Sequence, residues 1–239
     1  MNTKTIGNNS LTPSMIFLLA FACGSIVANL YYAQTLVVLI GHSLNLNAEL
    51  SGSIVTLTQI GYATGLLFIV PLADIIENKR LIIGLLFLVC ICLLVMIFTN
   101  ISIVFLSCCF IIGVTTVSAQ VIIPLVAHLT PIEGRGKAVG QIMSGLLLGI
   151  MLARPLASWI ADIFNWQAIF IFSVVLMLII VILLYLKLPK RMPQNNISYK
   201  QLIYSLPFIF KSYPVLRRRA AYHATLFGVF SLFWTSIAM

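Results

Sequence analysis

Residues 51–82 read SGSIVTLTQIGYATGLLFIVPLADIIENKRLI and decide the fold class of the chain. The 51–73 part contains no charged residue, and as a helix it is long enough to span a hydrocarbon core of about 30 Å. Gly61 and Gly65 lie four positions apart, so another helix can approach their shared face closely. The stretch therefore predicts a membrane-spanning helix with a packing face, ending at a polar loop that begins with Asp74.

The rest of the chain has the same apolar character. Of its 239 residues, 61% are hydrophobic and 8% are charged, whereas soluble domains carry roughly 25% charged residues. A soluble globule could not cover its surface with so few charges, and a disordered chain would be far more polar. Because lipid offers no partner for unpaired backbone groups, the long runs predict helices and an all-α polytopic membrane protein. The apolar runs lie at 15–38, 51–73, 81–98, 102–127, 138–161, 167–188 and 221–239.

The basic residues fall in every second loop between the predicted spans, on one side of the membrane. Lys and Arg number 14 against 5 Asp and Glu, and every basic residue except Arg154 lies in the 74–80, 128–137 and 187–219 loops or before the first span. Under the positive-inside rule these loops and the N-terminus are cytoplasmic. The charge thus follows the topology of the chain, and without a basic-aromatic stripe it does not indicate a nucleic-acid partner.

The predicted spans divide the chain into four segments. The first three spans and the next three form two blocks, which is the arrangement of inverted repeats in secondary transporters. In the linker, Leu202, Ile203 and Leu206 share a face beside basic residues. This face predicts either a short helix in the headgroup region, interrupted near Pro207, or an ordered loop packed on helix ends. The segments are a cytoplasmic N-terminus at 1–14, a six-helix bundle at 15–188, a cytoplasmic linker at 189–220 and a partial seventh span at 221–239.

Patterns typical of catalysis or metal binding are weak in this sequence. All five Cys lie in apolar runs, and Cys90 and Cys92 have no His near them, so we interpret the cysteines as small apolar side chains. A rhomboid-like protease needs a Gly-x-Ser-Gly nucleophile with a His partner, but Ser144 is preceded by Met143 and Ile142. We therefore expect no enzyme, no metal site and no cofactor.

The 70–80 loop resembles the loop between the second and third helices of the major facilitator superfamily. The pattern there is Gly-x-Leu-Ala-Asp-Arg-x-Gly-Arg-Arg/Lys; Leu72, Ala73, Asp74 and Lys79 fit it, and Arg80 supplies a second base one position late. The resemblance implies a cytoplasmic conformational switch based on Asp74, Lys79 and Arg80. The alternative is that these charges only set the topology. The positions that depart from the pattern are Val70, Ile75, Glu77 and Asn78.

Further segments resemble the bacterial drug- and sugar-efflux branch of this superfamily. They are residues 29–34, residues 119–154 with Arg135 in the switch loop, and residues 165–170. The resemblance implies the N-terminal bundle of a major facilitator fold in a bacterial inner membrane, with two inverted three-helix repeats and a truncation in helix seven. It also implies efflux of a small-molecule substrate by alternating access between two six-helix halves. We therefore expect a complementary C-terminal half as partner; the alternative is a truncated, non-transporting protein or an accessory half-transporter.

The fifth predicted span carries a second small-residue face. Gln141, Gly145, Gly149 and Ala153 recur every four residues, and the two glycines match part of the antiporter signature of the resembled family. Such a face allows close contact with another helix. Two partners fit it equally well, namely a second six-helix half or another helix of the same bundle.

Polar residues within the spans are candidates for lining a substrate cavity. Arg154 is an intramembrane cation that could bind an anion, hold an outer gate through Asp162, or snorkel to the outer interface. Amides and phenols in the other spans could bind substrate or join helices by hydrogen bonds. The remaining candidates are Asn29, Tyr32 and Gln34 in the first span, Gln59 and Tyr62 in the second, and Gln120 in the fourth.

Overall fold

The computed structural model describes residues 11–193 and 198–237, which fold into helices and short turns without a β-strand among them. The chain divides into two compact units, one up to Pro193 and one after it. The first unit contains α1 (Pro13–Thr35), α2 (Val37–Ser43), α3 (Ala48–Phe68), α4 (Asn78–Phe98), α5 (Ser102–Thr116), α6 (Ser118–Leu129), α7 (Arg135–Ile163) and α8 (Trp166–Lys187). The second unit contains α9 (Tyr199–Ser212) and α10 (Pro214–Ile237).

Six segments of the described chain are long and apolar enough to cross a membrane, and they coincide with the first six predicted spans. The second of them runs from α3 into a short 3₁₀ turn at Val70–Asp74, and the fourth combines α5 and α6. Residues 221–237 of the seventh predicted run lie in α10, and residues 238–239 lie outside the described part of the chain. α10 begins at Pro214, carries Arg217, Arg218 and Arg219 in its first turns, and is not one of the six. The all-α membrane architecture is therefore confirmed, while a partial seventh span stays a prediction.

The fourth span is a broken helix rather than the single helix predicted for 102–127. α5 and α6 are separated by Val117. The hydroxyl groups of the two preceding threonines, Thr115 and Thr116, donate to backbone carbonyl oxygens one turn earlier at 3.1 and 3.0 Å. Hydrogen bonds of this kind compete with the backbone ladder and bend helices, which explains why hydropathy alone did not reveal the break.

α1 packs closely against α7 through small residues. A Cβ atom at Gly149 would overlap the backbone of Gly24, one at Gly24 would overlap the backbone of Gly145, and one at Gly145 would overlap the backbone of Ala20. The partner of the small-residue face on α7 is therefore α1, within the bundle. Because the pairs 20/145 and 24/149 have the same offset in sequence, the two helices run parallel.

α3 and α5 form a second pair of the same kind. A Cβ atom at Gly61 would overlap Phe110, one at Gly65 would overlap Val114, and Gly113 of α5 faces back onto Thr58. The pairs 61/110 and 65/114 have the same offset in sequence, so these two helices are also parallel. Two three-helix repeats relate the first span to the fourth and the second span to the fifth. They therefore relate the α1–α7 pair to the α5–α3 pair, so the packing has the symmetry of two inverted three-helix repeats.

The bundle has an apolar interior and an apolar outer surface. Phe105, Trp166 and Phe170 form an edge-to-face aromatic cluster near the first turns of α5 and α8, with ring centroids 5.9 to 6.3 Å apart. On the outside, large apolar side chains such as Phe98 and Ile182 are exposed. A continuous apolar exterior of this kind fits the hydrocarbon region of a bilayer.

The linker contains a continuous helix rather than the interrupted one expected near Pro207. Ser198 caps α9 by accepting from the backbone N–H of Gln201, and the Gln201 side chain accepts from the Ser198 N–H, which completes a capping box. α9 then continues through Pro207 to Ser212. Proline removes a single backbone donor, and here the helix tolerates that loss without ending.

Candidate functional site

Arg154, the one cation well inside a predicted span, reaches from α7 to α1. Its Nη2 atom donates to Oε1 of Gln34 at 3.2 Å, and its guanidinium group lies 5.3 Å from the centre of the Tyr31 ring. Tyr31 and Gln34 are buried, and Arg154 is half-buried. An arginine over a tyrosine face is attracted by the ring quadrupole, and the interaction strengthens as water is excluded. The contacts with α1 therefore hold the positive charge against the buried residues Tyr31 and Gln34.

A second polar contact connects α3 with α6. Nε2 of Gln120 donates to the hydroxyl oxygen of Tyr62 at 2.9 Å, and both side chains are half-buried. We call Arg154, Gln34, Tyr31, Tyr62 and Gln120 together the polar belt. Its residues lie on α1, α3, α6 and α7, in a bundle whose other contacts are mainly apolar.

Asn29 and Tyr32, which the sequence also offered as cavity residues, do not belong to the polar belt. Nδ2 of Asn29 donates to the backbone oxygen of Ser25 at 2.9 Å, and Oδ1 of Asn29 accepts from Oγ of Ser173 at 2.6 Å. This buried pair joins α1 to α8. Gln59 is half-buried on α3, one turn before Tyr62.

An apolar groove of about 630 Å³ lies between α1, α7 and α8. Tyr32 lines it, as do the four residues of the small-residue face on α7. That face thus has two roles, since its glycines touch α1 and its outer flank borders the groove. The volume is in the range of small-molecule pockets, and the lining offers few polar groups.

In the predicted switch loop, the acid that pairs with Arg80 is Glu77 rather than Asp74. Oε2 of Glu77 lies 3.0 Å from Nε of Arg80, at a spacing of three residues across the first turn of α4. Asp74 ends the preceding 3₁₀ turn, is exposed, and has no ion pair among the described side chains. The Asp74 carboxylate is therefore accessible, and the ion pair at this loop is the local one between Glu77 and Arg80.

The two other predicted switch residues contact neighbouring elements. Nζ of Lys79 lies 5.4 Å from the centre of the Tyr185 ring, near the end of α8. Nε of Arg135 donates to the backbone oxygen of Thr130 at 3.0 Å, within the loop that precedes α7. Both residues thus fix the ends of helices at the side of the bundle that carries the basic loops.

Two residues with contacts at these sites, Tyr31 and Glu77, were not among the candidates named from the sequence. Tyr31 stands three positions before Gln34, so a search for polar residues sharing a helix face with Gln34 would have found it. Glu77 stands three positions before Arg80, which is the spacing of an ion pair on one turn of a helix. Among the described residues, no group of three or more His, Cys, Asp or Glu side chains is placed to hold a metal ion.

Comparison with known proteins connects this bundle to transporters. Residues 15–239 match the sequence profile of the Major Facilitator Superfamily. The uncharacterized transporter YgaY of Escherichia coli O157:H7 is 39% identical over 231 residues, which cover 97% of this chain and 59% of YgaY. The probable transporter SCO4007 of Streptomyces coelicolor is 28% identical over 222 residues, which cover 93% of this chain and 52% of SCO4007. The chain thus spans a little over half the length of these relatives.

A solved structure shows the same fold. The human organic anion transporter MFSD10 (TETRAN) superposes with a TM-score of 0.57 at 15% identity, over 80% of this chain and 53% of MFSD10. At that identity the similarity concerns the arrangement of the helices alone. The profile match extends over nearly the whole sequence, and two relatives named as transporters align with almost all of it. The chain therefore belongs to the major facilitator superfamily.

Proposed function

We propose that the chain is the N-terminal half of a transporter that moves a small solute across the membrane by alternating access. The polar belt carries this proposal, because it places one cation, two phenols and two amides on four helices of an apolar bundle. Ionisable groups inside a membrane bundle usually serve a substrate or ion pathway. In the alternating-access mechanism the site lies between two halves that rock against each other, so a complementary half completes it.

The chemistry of the polar belt favours a small organic anion as substrate. Arg154 supplies a positive charge with several N–H donors, and the amides of Gln34 and Gln120 supply further donors. Charge-assisted hydrogen bonds to carboxylate or phosphate are stronger than neutral ones. MFSD10, which shares the fold, is named for the transport of organic anions. Resemblance to the drug- and sugar-efflux branch supports efflux as the direction.

A binding experiment with purified protein tests the substrate class. Carboxylate, neutral and ammonium compounds of matched size are titrated against wild-type protein, and thermal stabilisation is followed. We expect only the carboxylates to stabilise it, and Arg154→Gln to weaken their binding by about 10- to 100-fold, as for the loss of a charged hydrogen bond. Lys137→Gln is the matched control, because Lys137 is an exposed cation at the other end of α7. Equal binding of ammonium compounds, or equal losses in both variants, would contradict the proposal.

The requirement for a second half is tested separately in proteoliposomes. We expect no transport of an anion that binds when residues 1–239 are reconstituted alone, since a single bundle has nothing to rock against. Addition of a complementary six-helix half should restore transport. Transport by the isolated chain would refute the half-transporter proposal without affecting the assignment of Arg154, whereas binding without rescue would favour an accessory protein.

The orientation in the membrane, with the N-terminus in the cytoplasm of a bacterial inner membrane, is part of the proposal. It places Asp74, Lys79, Arg80 and Arg135 at the cytoplasmic face, where they would act as a conformational switch. Alkaline phosphatase fused at Asn45 should be active outside the cytoplasm, and the same fusion in the linker should be inactive. The reverse pattern would refute the orientation and the location of the switch.

A further inference from the structure

α9 has an apolar stripe and a basic flank. Leu202, Ile203, Leu206, Ile209 and Phe210 recur at spacings of three and four, so they share one face of the helix. Leu206, Ile209 and Phe210 are 36%, 39% and 48% exposed, so the rest of the second unit leaves much of the stripe uncovered. The stripe is too short to span a bilayer, but it is suited to lie in the plane of a membrane interface.

Lysines line one flank of this stripe. Lys200 and Lys211 are eleven positions apart, which is three turns, so they lie on the same side of α9. Both side chains are exposed. Immediately after α9, the exposed Arg217, Arg218 and Arg219 follow in the first turns of α10. From residue 163 to residue 239 the sequence contains no Asp or Glu, so nothing acidic within the second unit neutralises these cations.

We infer that α9 and the first turns of α10 dock onto anionic phospholipid headgroups, with the apolar stripe of α9 inserted between them. Charge complementarity argues for this occupant, because five exposed cations without an acid suit a negatively charged surface. Topology alone would require only that these residues be basic. It would not require a capped helix whose apolar stripe and lysine flank are aligned.

Hydrogen exchange of the full chain tests this inference. The protein is reconstituted in nanodiscs of phosphatidylcholine alone or of phosphatidylcholine mixed with phosphatidylglycerol, and exchange of the α9 amides is followed by mass spectrometry. We expect slower exchange with phosphatidylglycerol, and a return toward the phosphatidylcholine rate as salt screens the headgroups. Equal exchange in the two lipids would overturn the inference, and this comparison needs no variant.

Paired variants separate the charges from the stripe. Lys200→Gln combined with Lys211→Gln should speed the exchange of α9 in phosphatidylglycerol by about 30-fold, from the loss of two lysine contacts with the surface. Leu202→Gln combined with Ile209→Gln should do the same by removing apolar contacts. The matched control is Tyr204→Gln combined with Phe208→Gln, which lie opposite the stripe, one turn from the two lysines, and are 80% and 70% exposed; it alters neither a charge nor the stripe.

The control variant should exchange like the wild-type chain. Protection that survives the lysine changes, or that is lost equally in the control, would mean that α9 packs against protein or is held by its capping box alone. Either result would overturn the inference. Neither bears on the polar belt, so a failure here is distinguishable from a failure of the proposed function.

Discussion

The close contact between α1 and α7 predicts opposite effects for two glycine substitutions on one helix. In Gly149→Ala, the added Cβ atom would overlap Cα, C and O of Gly24. These are backbone atoms, which cannot rotate away, so the two helices must separate. Overpacking of this kind costs about 1–3 kcal/mol, and the higher helix propensity of alanine offsets up to about 1 kcal/mol of it. We therefore expect a net destabilisation of up to about 2 kcal/mol.

Gly140→Ala is the matched control, because a Cβ atom at Gly140 meets nothing within 4 Å. Only the propensity term acts there, so this variant should be more stable than the wild type by about 0.5–1 kcal/mol. The gain in helix propensity is common to both variants, so they should differ by the overpacking cost alone, about 1–3 kcal/mol.

Both values can be measured by titrating SDS into mixed micelles and following helix content by circular dichroism. A Gly149→Ala variant as stable as Gly140→Ala would refute the reasoning, since it would mean that α1 and α7 do not approach each other at this register. Gly61→Ala and Gly52→Ala form the corresponding pair on α3, because Gly61 touches α5 whereas Gly52 has nothing within 4 Å.

The hydrogen bonds between spans make two further predictions in the same assay. Tyr62→Phe removes the oxygen that accepts from Gln120 at 2.9 Å, and we expect a loss of about 0.6–1.7 kcal/mol, the range of interhelical hydrogen bonds in membranes. Ser173→Ala leaves the buried Oδ1 of Asn29 without its donor and should cost about 1–3 kcal/mol, whereas Ser158→Ala at an exposed position of α7 should leave the stability unchanged. No loss in Tyr62→Phe, or equal stabilities for the two serine variants, would contradict these contacts.

The six spans could be predicted because the thickness of the bilayer fixes the length of an apolar run, and that length can be read directly from the sequence. The break at Val117 could not, since it arises from the hydroxyl groups of Thr115 and Thr116, which a hydropathy average hardly registers. Likewise, Pro207 was expected to interrupt a helix, but the structure keeps α9 intact through it. Both cases depend on individual residues rather than on the apolar character of the run.

The candidate site shows a similar division. Gln34, Tyr62, Gln120 and Arg154 could be named from the sequence because polar groups are rare within spans, but their partners depend on the register between helices that are distant in sequence. Arg154 and Gln34 are 120 positions apart. Neighbouring residues of one helix point about 100° apart, so Tyr31 joins the belt whereas Tyr32 lines the groove.

The glycine contacts set the register on which the polar belt depends. With α1 and α7 parallel and Gly24 beside Gly149, the Cα atom of Arg154 is level with residue 29 of α1. Gln34 lies five residues further along, or about 7.5 Å, a distance that an extended arginine side chain covers. Separating the helices at Gly149 would therefore draw the guanidinium group of Arg154 away from Gln34, although Gly149 has no side chain and is not a residue of the polar belt. Gly149→Ala should for this reason weaken anion binding as well as stability, and Gly140→Ala should change neither contact of Arg154 with α1.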